Sequence, residues 1–349
     1  MKKRTLFLLG FAFILIIIGG VGSIFFYQQL EAERKDSEVN KKFKYDHSDE
    51  LILNIKNSAT INLSTSDDDY VHMNKQGLTF GSEKKESTTW NIDKKEKTTT
   101  VTIDNKISKQ KFQPGVFTFS DISDDSISLK VPEKYKKITI KGDKVEIAAN
   151  GLTLNNLDIQ SKISNFYSND VTVQDLTVDT KTGDINIDGG KFENNVKLST
   201  LTGNIHVENT FFNKLDMSTK NGEVFTANTK GDLKIDNQNG NTSINHTKGL
   251  ASVNNKNGEI YFHSNNITQD VTLETVNGAI QMEVDKDSYN KNKVDFKTNY
   301  GLLSIFNKNL SSETTFSNSK GKVLIKATSK NGDISVNELD PDDTKYEDD

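Results

Sequence analysis

Through the second half of the chain, apolar and polar residues alternate in short arms, and a turn ending in glycine separates each arm from the next. The turn glycines are Gly183, Gly203, Gly222, Gly240, Gly258, Gly278, Gly301 and Gly332, at successive steps of 20, 19, 18, 18, 20, 23 and 31 residues. A nearly fixed period of this size is the mark of a repeat architecture. Two places after each glycine stand Ile185, Ile205, Val224, Thr242, Ile260, Ile280, Leu303 and Ile334; four places after stand Ile187, Val207, Thr226, Ile244, Phe262, Met282, Ile305 and Val336. Before the glycine, minus five runs from Val178 to Ala327 and minus seven from Leu176 to Ile325, again apolar. Spacing by two is the strand period, so each repeat reads strand, turn, strand.

Minus three is always small and hydrogen-bonding: Thr180, Thr200, Thr219, Asn237, Asn255, Thr275, Thr298 or Ser329. This predicts an inward ladder that satisfies backbone groups of the turns. Glycine after Asn or Thr predicts a backbone at positive φ. Two architectures fit the pattern. Tight hairpins would give an antiparallel meander with one apolar face. Corners would instead stack the repeats as coils of 18–20 residues in a parallel β-solenoid, with the same four positions lining its core. The meander needs about sixteen strands curled on themselves, whereas the solenoid reuses one rung and absorbs insertions at its corners. An all-β parallel solenoid is therefore the expected fold. Four apolar side chains per rung contribute on the order of 6–10 kcal/mol before chain entropy, so a lone rung is marginal and stacking is obligatory.

Upstream, residues 50–75 alternate again through Leu51, Leu53, Ile55, Ile61 and Leu63, which reads as an opening rung. Residues 76–113 are richer in Lys, Glu and Thr and read as a two-stranded excursion around Trp90 and Val101. Two more arms, 127–131 and 138–147, are joined through Pro132. The expected organisation is one solenoid over 48–337, with an irregular cap to about residue 151 and regular repeats over 152–337.

Lys2, Lys3 and Arg4 precede an uncharged run over residues 5–27. As a helix this run is about 35 Å long, enough to cross a bilayer. Residues 1–27 thus predict a basic flank in the cytoplasm and a single transmembrane anchor, with the rest of the chain outside. A signal peptide cleaved at Val21-Gly22-Ser23 is the alternative; against it, Ile24 to Tyr27 prolong the apolar run and end in aromatics suited to a membrane interface. Residues 28–47 are highly charged and read as a spacer, and 338–349 as an acidic, disordered tail. The chain has no cysteine, which excludes disulfides, a lipid-modified cysteine and thiol chemistry. Net charge of −5 without a basic patch of interleaved aromatics argues against nucleic acid.

The charged N-terminus, the single span, the phrase LKVPEKYKKITI from Leu129, and the serial units TGDINI, TGNIHV, NGEVFT, NGEIYF and NGDISV resemble a bacterial β-strand-repeat family of unknown function labelled "putative adhesin". The likeness runs over residues 50–337. Within that family, the chain resembles the LiaG-like membrane-anchored members, encoded near envelope-stress regulators in Gram-positive bacteria. The resemblance implies a repeat fold in the cell envelope and supplies no catalytic residues; its label rests on analogy of fold.

Candidate chemistry is sparse. His206, His246 and His263 fall at plus three, plus six and plus five, so no shared histidine face, zinc site or catalytic histidine is expected. Asp67 to Asp69 and residues 121–125 read as solvated acidic turns, since neither completes a calcium loop. Outward carboxylates at plus one, Asp184, Glu223, Glu259 and Asp333, alternate with Asn204, Asn241, Ala279 and Leu302 and so seldom pair. A polysaccharide-active β-helix enzyme, the competing class, would need converging carboxylates. No cofactor is expected. Phe225 and Tyr261 at plus three and Phe306 at plus five, joined by Phe211, Phe212 and Tyr300, form a candidate binding surface, unless an insertion or adjacent loop covers them. The expected protein is a single-pass, non-catalytic envelope module that contacts cell-wall glycan or an envelope-stress membrane protein.

Overall fold

Strands of successive repeats lie side by side in parallel, in register with the glycine step. Ile185 pairs with Ile205, Ile205 with Val224, Val224 with Thr242, Thr242 with Ile260, and Ile260 with Ile280. Parallel pairing at this offset rules out the hairpin meander and makes each repeat one coil of a solenoid. The structure is a computed structural model that describes residues 34–80, 87–106, 126–306, 308–310 and 314–339, together with Gly19 and Ser23.

In-register stacking places like positions above one another, so each apolar position becomes a buried column. The residues at plus two, plus four, minus five and minus seven are buried in every repeat, from Leu176 and Val178 to Ile334 and Val336. A further inward segment lies between them, where Val173, Phe192 and Phe212 align in neighbouring coils and the buried hydroxyls of Thr229 and Thr247 meet at 2.9 Å. It follows a second corner marked by left-handed backbone at Asp170, Gly189, Asn209, Asn228 and His246.

The turn glycines are fixed by how closely the rungs approach. A Cβ on Gly203 would lie 2.0 Å from the Gly183 carbonyl oxygen, and one on Gly240 would lie 1.9 Å from that of Gly222. The expected positive φ is found at Gly183, Gly203, Gly240 and Gly258 but not at Gly222, Gly278, Gly301 or Gly332. The condition common to all eight is the missing Cβ, because each would clash with a carbonyl oxygen of the adjacent rung at 1.9–2.0 Å. The residue at minus three bonds that same oxygen from inside. Thr219 donates to the Gly203 carbonyl at 3.1 Å, Asn237 to Gly222 at 3.1 Å, Thr275 to Gly258 at 3.1 Å and Ser329 to Gly278 at 2.9 Å.

At both ends the order of rungs in space departs from their order in sequence. The Gly278 rung does not pair with the Gly301 rung that follows it in sequence. Val271 pairs with Ile325 and Ile280 with Ile334, while Lys293 and Leu303 pair with the far side of the same strands, at Leu324 and Ile334. The last repeat is thus threaded between its two predecessors. The N-terminal end mirrors this: Glu50–Thr65 lies between Lys137–Asn150 on one side and Thr98–Lys106 with Ser126–Val131 on the other. Antiparallel strands then cover the exposed edges, Ser87–Lys95 and Tyr70–Phe80 at one end, Lys308–Asn309 and Thr315–Asn318 at the other. Capping of this kind covers the edge of the parallel stack, which would otherwise invite chain-to-chain pairing.

The segment read as a charged spacer contributes to that cap. Arg34–Lys44 is a strand antiparallel to Tyr70–Phe80. Its lysines suit an outermost strand, where charge discourages further pairing, and this explains why composition alone pointed to a spacer. Most of the proposed anchor and of the acidic tail lies outside the described residues, as does the acidic run 121–125. Among the described residues no helix is long and apolar enough to cross a membrane. The one described helix apart from Gly19 and Ser23, Lys286–Lys291, is capped by the Asp285 side chain and carries the chain out to the Gly301 rung.

Two outcomes are expected from this packing. Gly240→Ala forces a methyl group against the Gly222 carbonyl at a φ of 140° and should destabilise the fold by roughly 3 kcal/mol or more, read by urea unfolding. In the N-terminal cap, burial opposes ionisation of Asp46, yet hydrogen bonds from Lys94, Ser48 and Thr99 and the Lys94 charge outweigh it and hold the pKa at about 2, below the ordinary 3.8. A depressed carboxyl stabilises the fold above its unfolded pKa. Asp46→Asn should therefore cost about 1–2 kcal/mol at neutral pH, and the gap from the parent should close as pH falls from 3.8 to about 2.

Candidate binding face

Between the inward residues at plus two and plus four, the side chain at plus three must face outward, and so must that at plus five. Register aligns the plus-three positions as one column. Tyr167 pairs with Asn186, Asn186 with His206, His206 with Phe225, Phe225 with Ser243, and Ser243 with Tyr261. Four of these six are aromatic or imidazole rings.

The His206 and Phe225 rings stack with centroids 4.5 Å apart and planes 21° from parallel. His206 is held from beside the column by the Glu208 carboxylate at plus five. Tyr261 lies two rungs beyond Phe225, a separation of roughly 9.6 Å at the spacing of paired strands. Both are half-buried, and Tyr167 is 40% exposed. The Tyr261 hydroxyl donates to the Glu259 carboxylate; that bond, with some burial, raises its pKa above the ordinary 10.0.

Two of the histidines expected on separate faces meet. The His246 and His263 rings are in edge contact at 4.6 Å, and His263 Nδ1 lies 3.2 Å from the Glu283 carboxylate. His246 gets there because its left-handed backbone turns the second corner toward the plus-five column. Among the described residues no group of three His, Cys, Asp or Glu is placed to hold a metal ion.

Phe306 does not join Phe225 and Tyr261. It packs on Tyr289 of the short helix, edge to face at 4.8 Å, with the Lys286 ammonium 5.6 Å from its ring. It belongs to the outermost rung, three steps from Tyr261 through Gln281, Ser335 and Ser304. Phe212 is buried, while Phe211 and Tyr300 are exposed at 56% and 78% on other parts of the coil.

The plus-one residues have structural work that their type alone did not disclose. Asp184 accepts the Asn204 N–H at 2.7 Å, Asn204 that of Glu223 at 2.9 Å, Asn241 that of Glu259 at 3.0 Å, and Asp333 that of Leu302 at 2.8 Å. In these four turns one side chain thereby ties its rung to the next. A cavity lined by Thr247, Ala251, Phe262, Ser264, Ile267 and Val271 has a volume of about 10 Å³, room for one water.

Stacked parallel coils, a continuous apolar core and an open outer face define an all-β repeat protein of the solenoid class. Residues 48–232 and 194–337 match the Toastrack DUF4097 family, and the chain belongs to it. Among solved structures it is similar to a "putative adhesin" from Bacteroides fragilis, at 16% identity over 87% of this chain and 97% of that one, with a TM-score of 0.40. It is also similar to a "putative lipid binding protein" from Parabacteroides distasonis, at 13% identity over 86% and 96% of the two chains, with a TM-score of 0.36. A "putative cell adhesion protein" from Clostridium sporogenes aligns at 12% identity over 87% and 100%, with a TM-score of 0.27. No curated protein matches the chain.

Replacing Glu259 by Gln removes the carboxylate that opposes formation of the Tyr261 phenolate. The Tyr261 transition in an ultraviolet pH titration should shift down toward 10.0, with the remaining tyrosines unchanged.

Proposed function

We propose that this chain is a non-catalytic interaction module of the cell envelope, anchored N-terminus inward by residues 5–27 and binding an extended glycan of the wall along its plus-three column. The observation that carries the proposal is the alignment of Tyr167, the His206 and Phe225 stack, and Tyr261 on one outward line. Half-buried rings held at rung spacing offer flat apolar surface with polar groups beside it, the combination that a sugar chain with apolar ring faces and hydroxyl edges would meet. Because the column is long and open, it suits a linear ligand better than a compact one.

Support for a role without turnover comes from the carboxylates themselves. Asp184 and Asp333 are engaged with backbone amides of adjacent rungs, and Glu259 with Tyr261. A hydrolase of the β-helix type needs a pair of carboxylates flanking a scissile bond and free to exchange protons. The anchor rests on the basic residues Lys2, Lys3 and Arg4 ahead of an apolar run long enough to span a bilayer.

The test is recovery of ligand after crosslinking in cells that express the full anchored chain. Phe225→Ala with Tyr261→Ala should lower recovery of wall glycan about tenfold or more, at 1–2 kcal/mol for each ring, while leaving thermal unfolding nearly unchanged. Capture of one membrane protein, undiminished by the double variant, would reject the glycan face. Release of soluble sugars from purified wall, abolished by a carboxylate substitution, would reject the non-catalytic assignment.

A further inference from the structure

The glycine corner carries a second pattern, visible only once the rungs are placed in spatial order. Two residues before and one residue after each turn glycine stand Lys181 and Asp184, Leu201 and Asn204, Lys220 and Glu223, Gln238 and Asn241, Lys256 and Glu259, Val276 and Ala279, Lys330 and Asp333, then Asn299 and Leu302. Charged and neutral rungs alternate without a break. In sequence order the alternation fails, because the Gly301 rung would put two neutral rungs side by side. Threading the Gly332 rung between those of Gly278 and Gly301 restores it.

The corner is continuous at rung spacing. Asparagines one place before the glycine bond one another up the stack, Asn239 to Asn221 at 2.9 Å, then Asn257 to Asn239, Asn277 to Asn257 and Asn331 to Asn277, each at 2.7 Å. Flanking this amide ladder run a column of lysines and a column of carboxylates. Within each column like charges are about 9.6 Å apart, near the screening length at physiological salt, so each column keeps a single sign without strong self-repulsion. Lys181, Lys220, Lys256 and Lys330 are all exposed and form no ion pair among the described residues.

We infer that this corner is a self-association surface whose partner is a second copy of the chain, related by a twofold axis parallel to the stack. That axis turns the lysine column of one copy onto the carboxylate column of the other and keeps both copies pointing the same way. Lys181 then faces Asp184 of the second copy, Lys220 faces Glu223, Lys256 faces Glu259 and Lys330 faces Asp333, each twice by symmetry. The opposite orientation would set lysine on lysine. A slip by one rung would set every charged rung against a neutral one, so the alternation fixes register as well as direction. A polyanion alone would answer the lysines and leave the equally regular carboxylates opposed, which is why a second copy fits better. Parallel copies bring their N-terminal ends to the same side, as two chains held in one membrane require. A corner this narrow buries less than the ~800 Å² per partner of a stable complex, so the association is weak and salt-dependent.

Sedimentation of the full chain in detergent tests it. Association is expected at low ionic strength and about 100 µM, and should weaken steeply with salt. Lys220→Glu with Lys256→Glu should raise the dissociation constant about tenfold or more, and adding Glu223→Lys with Glu259→Lys should restore it, since opposite signs face each other again. Because the chain has no cysteine, Asn239→Cys, Asn221→Cys and Asn331→Cys are clean probes. Each should form a disulfide with itself, whereas mixed chains of Asn221→Cys and Asn331→Cys should not cross-link to each other. A chain that stays monomeric at every salt concentration would overturn the proposal. So would lysine variants that associate normally, a charge swap that does not rescue, or cross-linking between Asn221→Cys and Asn331→Cys. The glycan does not enter the argument, and Glu259 is the one residue shared with the aromatic column, through Tyr261; failure of the glycan reading therefore leaves this one standing.

Discussion

The near-contact of each turn glycine with a carbonyl oxygen of the adjacent rung is the constraint on which the remaining structure depends. A Cβ would overlap that oxygen at 1.9–2.0 Å, so the corner closes only where the side chain is absent. Once it closes, the backbone of each coil lies directly over the last, and identity at one position becomes identity along a column. Apolar columns fuse into one core, small hydroxyl and amide side chains at minus three satisfy the corner carbonyls, and exposed asparagines find their like at hydrogen-bond distance. Each of these depends on register, and register is held at the corner.

The same in-register stacking creates a difficulty at the ends, where a rung has one unpaired edge. Both ends are solved with the same parts. At the C-terminal end the chain lays down the outermost rung, closes its edge with antiparallel strands, and then places a terminal segment in the interior position; at the N-terminal end the order is reversed, the interior segment coming before the antiparallel strands and the outermost rung. Residues 324–338 and 50–65 are thus paired on both sides although they lie near the limits of the repeat region. Fraying, which favours chain ends, is thereby moved onto capped hairpins instead of the stack. A further consequence is long sequence separation between paired strands: Val271 meets Ile325 across 54 residues and Leu51 meets Ile138 across 87, where the regular rungs need about 19. Closing such a loop costs more chain entropy than adding the next coil.

What could be read from the amino-acid sequence followed from periodicity. The apolar columns, the glycine step, the inward Thr and Asn ladder and the choice of parallel coils all express local spacing repeated many times. Threading could not be read, because the longer steps to Gly301 and Gly332 announce insertions without saying which side of the stack the chain returns to. Nor could the second corner: Asp170, Asn209 and Asn228 recur at a regular offset, yet a left-handed residue is set by the closing coil and not by its own preference. Arg34–Lys44 misled in the opposite direction, since the charge that marks a linker is also what an outermost strand uses. Of the candidate site, Phe225 and Tyr261 lie on one face as their offset required, while Phe306 was drawn onto Tyr289 by a helix that the repeat pattern does not contain.

On a scaffold where most positions are dictated by stacking, information about partners is confined to the few columns that stacking leaves free. Minus three and zero are committed to the corner and the apolar columns to the core, while plus one serves both the corner and the outer face. Variation survives at plus three and plus five, and at minus two. The first two change from ring to amide to carboxylate between neighbouring rungs, with His206 against Phe225 in one and His263 beside Glu283 in the other. The last alternates between lysine and neutral residues with a period of two rungs. One column is irregular and therefore suited to recognise a particular chemistry, whereas the other is regular and suited to meet a surface of equal period. A solenoid presents both along its whole length because neither has to be folded around the other.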